Sequence, residues 1–187
     1  TARATRDLTE AGWTPASDGT RRKGGRFLAL DILVPATSPG RKRLAEALQE
    51  QWRQVGVMVT ITSLDFPIFM ERLGQGKFES YIGAWLTEPS PRGLVEQWTA
   101  GGIGRLNYGR YASPAFDHLV EQASATEDPR AARLTWRAAF DTLNANAPAL
   151  FLYAPVNVAA VSRRVEGFKL NPYSWLSSLP AVSLKPQ

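Results

Sequence analysis

Cysteine is absent from the 187 residues. That absence excludes disulfide scaffolds, Cys-ligated zinc and thiol nucleophiles together. It suits an oxidising or a reducing compartment equally. Histidine occurs once, as His118, and it sits between Asp117 and Leu119 on a helix whose other residues pack a core. With one imidazole and no thiol, a metal site would need clustered carboxylates. Those present, such as Glu46, Glu50, Glu71 and Asp141, are single charges scattered along helices. No Ser-His-Asp order accompanies a G-x-S-x-G elbow. The Gly-rich pieces Gly74–Gly76 and Gly101–Gly104 lack the Gly-Lys-Ser/Thr of a phosphate loop, and the second does not follow a strand as a dinucleotide fingerprint would. Both read as turns. No apolar run has the length of a membrane span. The opening TARATRDLTEAGW lacks the apolar stretch of a secretory signal.

What is present is a globular balance: 44% hydrophobic and 21% charged residues, at a length that suits one domain with a substantial core. The net charge is +5. Nucleic-acid binding would need that charge concentrated beside stacking aromatics. The clusters Arg21-Arg22-Lys23 and Arg41-Lys42-Arg43 stand in a Gly-rich turn and at a helix start, which points to a solvated basic surface instead.

Hydrophobic periodicity predicts a short helix over Ala2–Ala11, stopped by Gly12, and a turn-rich loop over Thr14–Gly25. The apolar run Phe27–Val34 has the pattern of a central strand buried on both faces. Ser38-Pro39 opens a helix to Val55, with Leu44, Ala47, Leu48, Trp52 and Val55 on one face. A strand over Val57–Thr62 follows. Asp65 then caps a helix that buries Phe66, Phe69, Met70 and Leu73. The third strand is expected over Glu79–Leu86. Consecutive strands joined by helices are parallel, and ligands of such sheets bind beyond the carboxyl ends of the strands. Downstream, Ser113-Pro114 and Asp128-Pro129 start two helices. The first turns Phe116, Leu119, Val120 and Ala123 inward; the second turns Ala132, Trp136, Ala139, Phe140 and Leu143 inward. Residues 149–154 and 156–162 read as returning strands. The end, from Gly167, reads as irregular.

The segment Phe78–Trp98, FESYIGAWLTEPSPRGLVEQW, carries the chemistry. Trp85 at the strand's end supplies a flat apolar wall. Glu88, three residues on, supplies an acceptor and a counter-charge for a cation such as an amine. These residues suit gripping a ligand better than breaking one. The alternative for each is ordinary: Trp85 as a core residue, Glu88 as a turn carboxylate. Trp98 reads as core.

Taken in order, the motifs resemble those of family 5 extracytoplasmic solute-binding proteins, the peptide, oligopeptide and nickel receptors of ABC importers. The resemblance runs through AGW (Ala11–Trp13) and DGTRRKGG (Asp18–Gly25), then LAEALQEQWRQVGV and VTI. It continues through F-x-x-R-L-x-x-G-x-F (Phe69–Phe78), the AWLTEPSP loop, Asn107–Ala123 and Asp128–Tyr153. Each motif alone is weak; the collinear set is specific. The resemblance implies an α/β, periplasmic-binding-protein-like (type II) lobe with a central, mainly parallel sheet flanked by helices. It implies that residues 1–187 are a single carboxyl-terminal lobe, with an amino-terminal lobe, a signal and any lipid-attachment cysteine upstream. The implied function is capture of peptides or related small solutes in an interlobe cleft, outside the cytoplasm, and delivery to a membrane permease. No catalysis, cofactor or metal is implied. The implied ligand-binding residues are Ala84 and Leu86 with their backbone, Trp85, Glu88 for the ligand amine, and Asn107, which braces its loop or faces the cleft. Glu88 stands where the best-known peptide receptors have Asp, so the carboxylate reaches one methylene further. On the residues alone, a basic nucleic-acid-binding module and an α/β enzyme without a recognisable catalytic set stay open.

Overall fold

Seven consecutive residues, Ala29–Pro35, form the strand around which the first part of the chain is built. The computed structural model describes residues 1–85, 90–171 and 173–185, without the side chains of Arg92 and Trp175. The chain divides into two compact units, Thr1–Ala84 and Trp85–Gln187.

The first unit opens with helix α1, Ala2–Glu10. The segment expected to be a loop is instead a small antiparallel sheet of three strands, β1 (Thr14–Pro15), β2 (Arg21–Lys23) and β3 (Arg26–Phe27). The turn residues themselves cause this. Gly24 and Gly25, at φ 55° and 78°, join Lys23 to its partner Arg26, and two successive positive φ values match the twist of a two-residue hairpin. At the other turn, the Asp18 carboxylate accepts the Thr20 hydroxyl and its N–H. These bonds, the hydroxyl's first, hold the Asp18 carboxyl below its ordinary value.

Strand β4 (Ala29–Pro35), helix α2 (Pro39–Arg53), strand β5 (Met58–Leu64), helix α3 (Phe66–Gln75) and strand β6 (Ser80–Tyr81) then form the expected β-α-β-α-β unit. The sheet order is β5-β4-β6, all parallel. Ile32 and Val34 are buried with Ala45 and Ile82, and Leu44, Leu48 and Trp52 of α2 pack on them. Leu33 faces the other way by the two-residue alternation and is also fully buried. Burying such a side chain contributes roughly 1.5–3 kcal/mol. Phe69 and Leu73 of α3 are buried, but Phe66 is exposed, against expectation; it is the first residue of the helix. Neither Ser38 nor Asp65 makes a side-chain cap bond.

The third strand is shorter than the expected Glu79–Leu86. It covers Ser80–Tyr81, and the Ile82 N–H adds one more bond to the Leu33 carbonyl at 3.1 Å. The register gives the reason. With Leu33 opposite Tyr81, the next ladder donor from β4 would be the N–H of residue 35, which is proline and has none.

The second unit is mainly helical. It contains α4 (Arg92–Trp98), a 3₁₀ turn at Ala100–Gly102, α5 (Pro114–Ala125) and α6 (Pro129–Asn146). Phe116 and Val120 of α5 are buried with Ala139 and Leu143 of α6, and Trp98, Leu119 and Trp136 pack on them. Phe140, expected inside, is exposed. Both N-caps form as predicted: Ser113 accepts from Phe116, and Asp128 accepts from Arg130 and Ala131. The returning strands expected at 149–154 and 156–162 are not formed among the described residues. Phe151 touches Trp98 edge-on, yet Tyr153, Val156 and Val158 are 74–86% exposed. A 3₁₀ helix at Trp175–Ala181 and an antiparallel pair, β7 (Val165–Glu166) with β8 (Ser183–Leu184), end the unit. No helix among the described residues is long and apolar enough to cross a membrane.

Candidate functional site

The described part of the expected site is a loop in the second unit that is fixed from inside. Its centre is Asn107, only 2% exposed. The Asn107 Nδ2 donates to the carbonyls of Thr99 (2.9 Å) and Tyr111 (2.7 Å), and its Oδ1 accepts the Tyr111 N–H at 3.0 Å. Both amide hydrogens are therefore committed to the backbone. The Asn107 N–H itself donates to Gly102. Gly102 cannot be larger: a Cβ there would lie 2.0 Å from the Glu96 carbonyl oxygen.

The loop is tied to the helical core at its far end. The Tyr111 ring meets Phe116 edge-on at 5.7 Å, and its hydroxyl accepts from the Asn146 side chain at 2.7 Å. Arg110 occupies the left-handed region at φ 54°, a conformation a non-glycine residue keeps only when its surroundings require it. The Asn107 side chain thus ties the Thr99 and Tyr111 backbone together inside the loop.

Beside Asn107, Tyr108 is in contact with an expected ligand residue. The Trp85 and Tyr108 rings stack at 6.0 Å between centroids, inclined by 19°. Trp85 is 38% exposed. Tyr108 was not singled out from the sequence. The available signal was an aromatic residue next to the bracing Asn107. Ala84 is exposed at the end of the first unit. Leu86 and Glu88 lie outside the described residues.

The basic cluster at residues 21–23 is used within the fold. Arg21 is buried. Its Nε donates to the Val55 carbonyl at 2.8 Å, and its other nitrogens donate to the Trp13 and Thr5 carbonyls and to Thr9 Oγ1. Arg22 lies 4.1 Å over the Phe27 ring and pairs with Asp18. Lys23 donates to the Ala11 carbonyl. Three cations engaged in this way do not make a phosphate-binding patch. An open groove of about 350 Å³ in the first unit is lined by Asp18, Gln49, Arg53 and the 56–59 backbone. Its polar side chains are already paired: Gln49 with the Val59 carbonyl, Arg53 with Glu50, and Asp18 with Thr20.

A parallel sheet with helical crossovers, followed by a helical unit bearing an aromatic loop, has the architecture of a lobe of a type II periplasmic binding protein. Residues 1–104 match the model of bacterial extracellular solute-binding proteins, family 5, and the chain belongs to that family. It is 24% identical over 169 residues to the oligopeptide-binding protein AppA of Bacillus subtilis, covering 88% of this chain and 31% of that protein. The structure of AppA in complex with a nonapeptide superposes with a TM-score of 0.83 at 22% identity, over 99% of this chain and 37% of AppA. The murein tripeptide binding protein MppA of Escherichia coli superposes with a TM-score of 0.78 at 22% identity, over 98% of this chain and 34% of MppA. The chain thus spans about a third of the length of these relatives. They are solute-binding receptors.

Proposed function

We propose that this chain is the carboxyl-terminal lobe of the substrate-binding component of an ABC importer. It captures peptides or related small cationic solutes outside the cytoplasm and passes them to a membrane permease, without chemical conversion. The observation that carries the reading is the exposed Trp85 ring on a braced loop, in a chain of family 5. A rigid aromatic wall next to a carboxylate in sequence suits an organic cation. Trp85 forms the wall and Glu88 pairs with the ligand amine. Ala84 to Leu86 lend backbone groups to an extended ligand. Asn107 acts indirectly, by holding the loop.

The exposed apolar side chains of Tyr153, Val156 and Val158 support a further lobe as partner. Such side chains are covered when additional polypeptide of the receptor packs on them. Closure of two lobes around the solute would then present a docking surface to the permease.

The test is calorimetry on the intact receptor with peptides carrying a free or an acetylated α-amine. Glu88→Gln should weaken the free-amine peptide by about 1.5–3 kcal/mol, the scale of a hydrogen bond to a charged group, and leave the acetylated one unchanged. Equal affinities for the free-amine peptide in both proteins would remove Glu88 from the site.

A further inference from the structure

We infer that Tyr108 positions Trp85, and that the stacked pair makes the site select solutes carrying a planar π group. The inference rests on the solute-binding reading and names a ligand class within it. It begins from an asymmetry. Two near-parallel rings at 6.0 Å leave one face of the indole lying along the phenol. Yet Trp85 is 38% exposed while Tyr108 is half-buried. The inner ring is thus the support, and the outer ring is the surface.

The support is itself fixed. Tyr108 follows Asn107, whose side chain ties the loop to Thr99 and Tyr111. The Tyr108 N–H donates to the Leu106 carbonyl at 3.0 Å, and the Arg110 N–H closes the turn onto the Asn107 carbonyl at 3.2 Å. A buried polar brace therefore holds Tyr108, and Tyr108 holds the indole. An exposed Trp without such backing samples several rotamers and loses that freedom on binding a ligand. One already stacked has less to lose. The geometry also sets preference. Aromatic rings favour offset stacking through their quadrupoles, beyond the area they bury. A flat ring laid on the open indole face continues the stack as a third layer. A saturated ring of the same size covers a similar area and lacks that term.

The experiment compares free-amine tripeptides, bearing phenylalanine at each position in turn, with counterparts bearing cyclohexylalanine, on the intact receptor. At one position the phenylalanine peptide should bind about 3–10-fold more tightly. Tyr108→Leu should bring that ratio close to one, and Tyr108→Phe should preserve it. A ligand-free arm reads the positioning directly. Iodide quenching assigned to Trp85, by difference from Trp85→Phe, should rise in Tyr108→Leu and not in Tyr108→Phe. Ratios near one at every position would overturn the selectivity and leave peptide capture standing. An unchanged ratio or unchanged quenching in Tyr108→Leu would overturn the positioning role. Absence of binding by every peptide would overturn the inference and the peptide reading together.

Discussion

The two units solve the same problem with different materials. In Thr1–Ala84 the core is built on strands. Leu33 and Val34 are fully buried, and β4 has a partner on each side. In Trp85–Gln187 the core is built on helices α5 and α6, while the apolar run after α6 pairs with no strand among the described residues. Each unit also has a buried polar hub among its described residues, Arg21 in the first and Asn107 in the second, and each hub donates mainly to backbone carbonyls. The difference teaches that burial follows the supply of partners. Val34 and Val158 have the same side chain; one is fully buried and the other is 86% exposed.

The largest expected effect breaks the comparison at its strongest point. Leu33→Ala should destabilise the protein by about 3–5 kcal/mol, because it leaves a cavity beneath the central strand of the sheet. Val158→Ser should stay within about 0.5 kcal/mol, the usual range for an exposed position. Urea unfolding of both variants checks the pair, and similar midpoints would mean the exposed run contributes to a core.

Arg21 is next. Arg21→Met keeps much of the stem and removes the donors to Val55, Trp13 and Thr5, at an expected cost of about 2–3 kcal/mol. Arg21→Lys should recover little of it, since one ammonium cannot reproduce the planar fork. Thermal unfolding distinguishes this from a surface arginine, whose loss would hardly move the midpoint.

In the second unit, Asn107→Ala should cost about 1–3 kcal/mol by leaving buried backbone groups of Thr99 and Tyr111 unpaired. Asn107→Asp should cost more, because a carboxylate would face the carbonyls that the amide now serves. Near-ultraviolet circular dichroism should report loss of aromatic order with either change. Unaltered spectra and stability would show that the loop holds without its brace.

The sequence was most informative where periodicity and partner lie close together. The β-α-β-α-β order, the inward face of α5, and the Ser113 and Asp128 caps were legible, because each depends on residues within one helix or one crossover; on α2 the expected Ala47 is exposed and Ala45 is buried instead. The hairpin at 14–27 was missed because its glycines and Asp18 read equally as loop and as turn; only the cross-strand register tells them apart. The third strand was overextended because the proline that stops its ladder is on another strand, 46 positions before Tyr81. The strands at 149–162 were predicted from composition, which reports the propensity of a segment but not the presence of an edge to receive it. At the site, Trp85 is expected at the end of the third strand, whereas the strand stops at Tyr81. Tyr108 was not legible, because stacking joins residues 23 positions apart with no shared periodicity.

The smallest expected effect has the opposite sign. Helix α6 ends on Ala147, which takes the left-handed conformation at φ 48° and ψ 47° and donates its N–H to the Leu143 and Asn144 carbonyls. Its counterpart in the first unit is Gly76, which ends α3 at φ 68° and ψ 24°. The same terminating geometry is therefore made with glycine in one unit and alanine in the other. An L side chain in that region crowds its own carbonyl, at roughly 1–2 kcal/mol, whereas glycine enters it freely but gives the unfolded chain more conformational freedom. The two terms leave Ala147→Gly about 0.5–1 kcal/mol more stable. The reverse change, Gly76→Ala, should lose a similar amount. Thermal midpoints moving in opposite directions for the two substitutions would place the strain at the helix ends. A destabilised Ala147→Gly would mean that the alanine methyl contributes packing that outweighs its conformational cost.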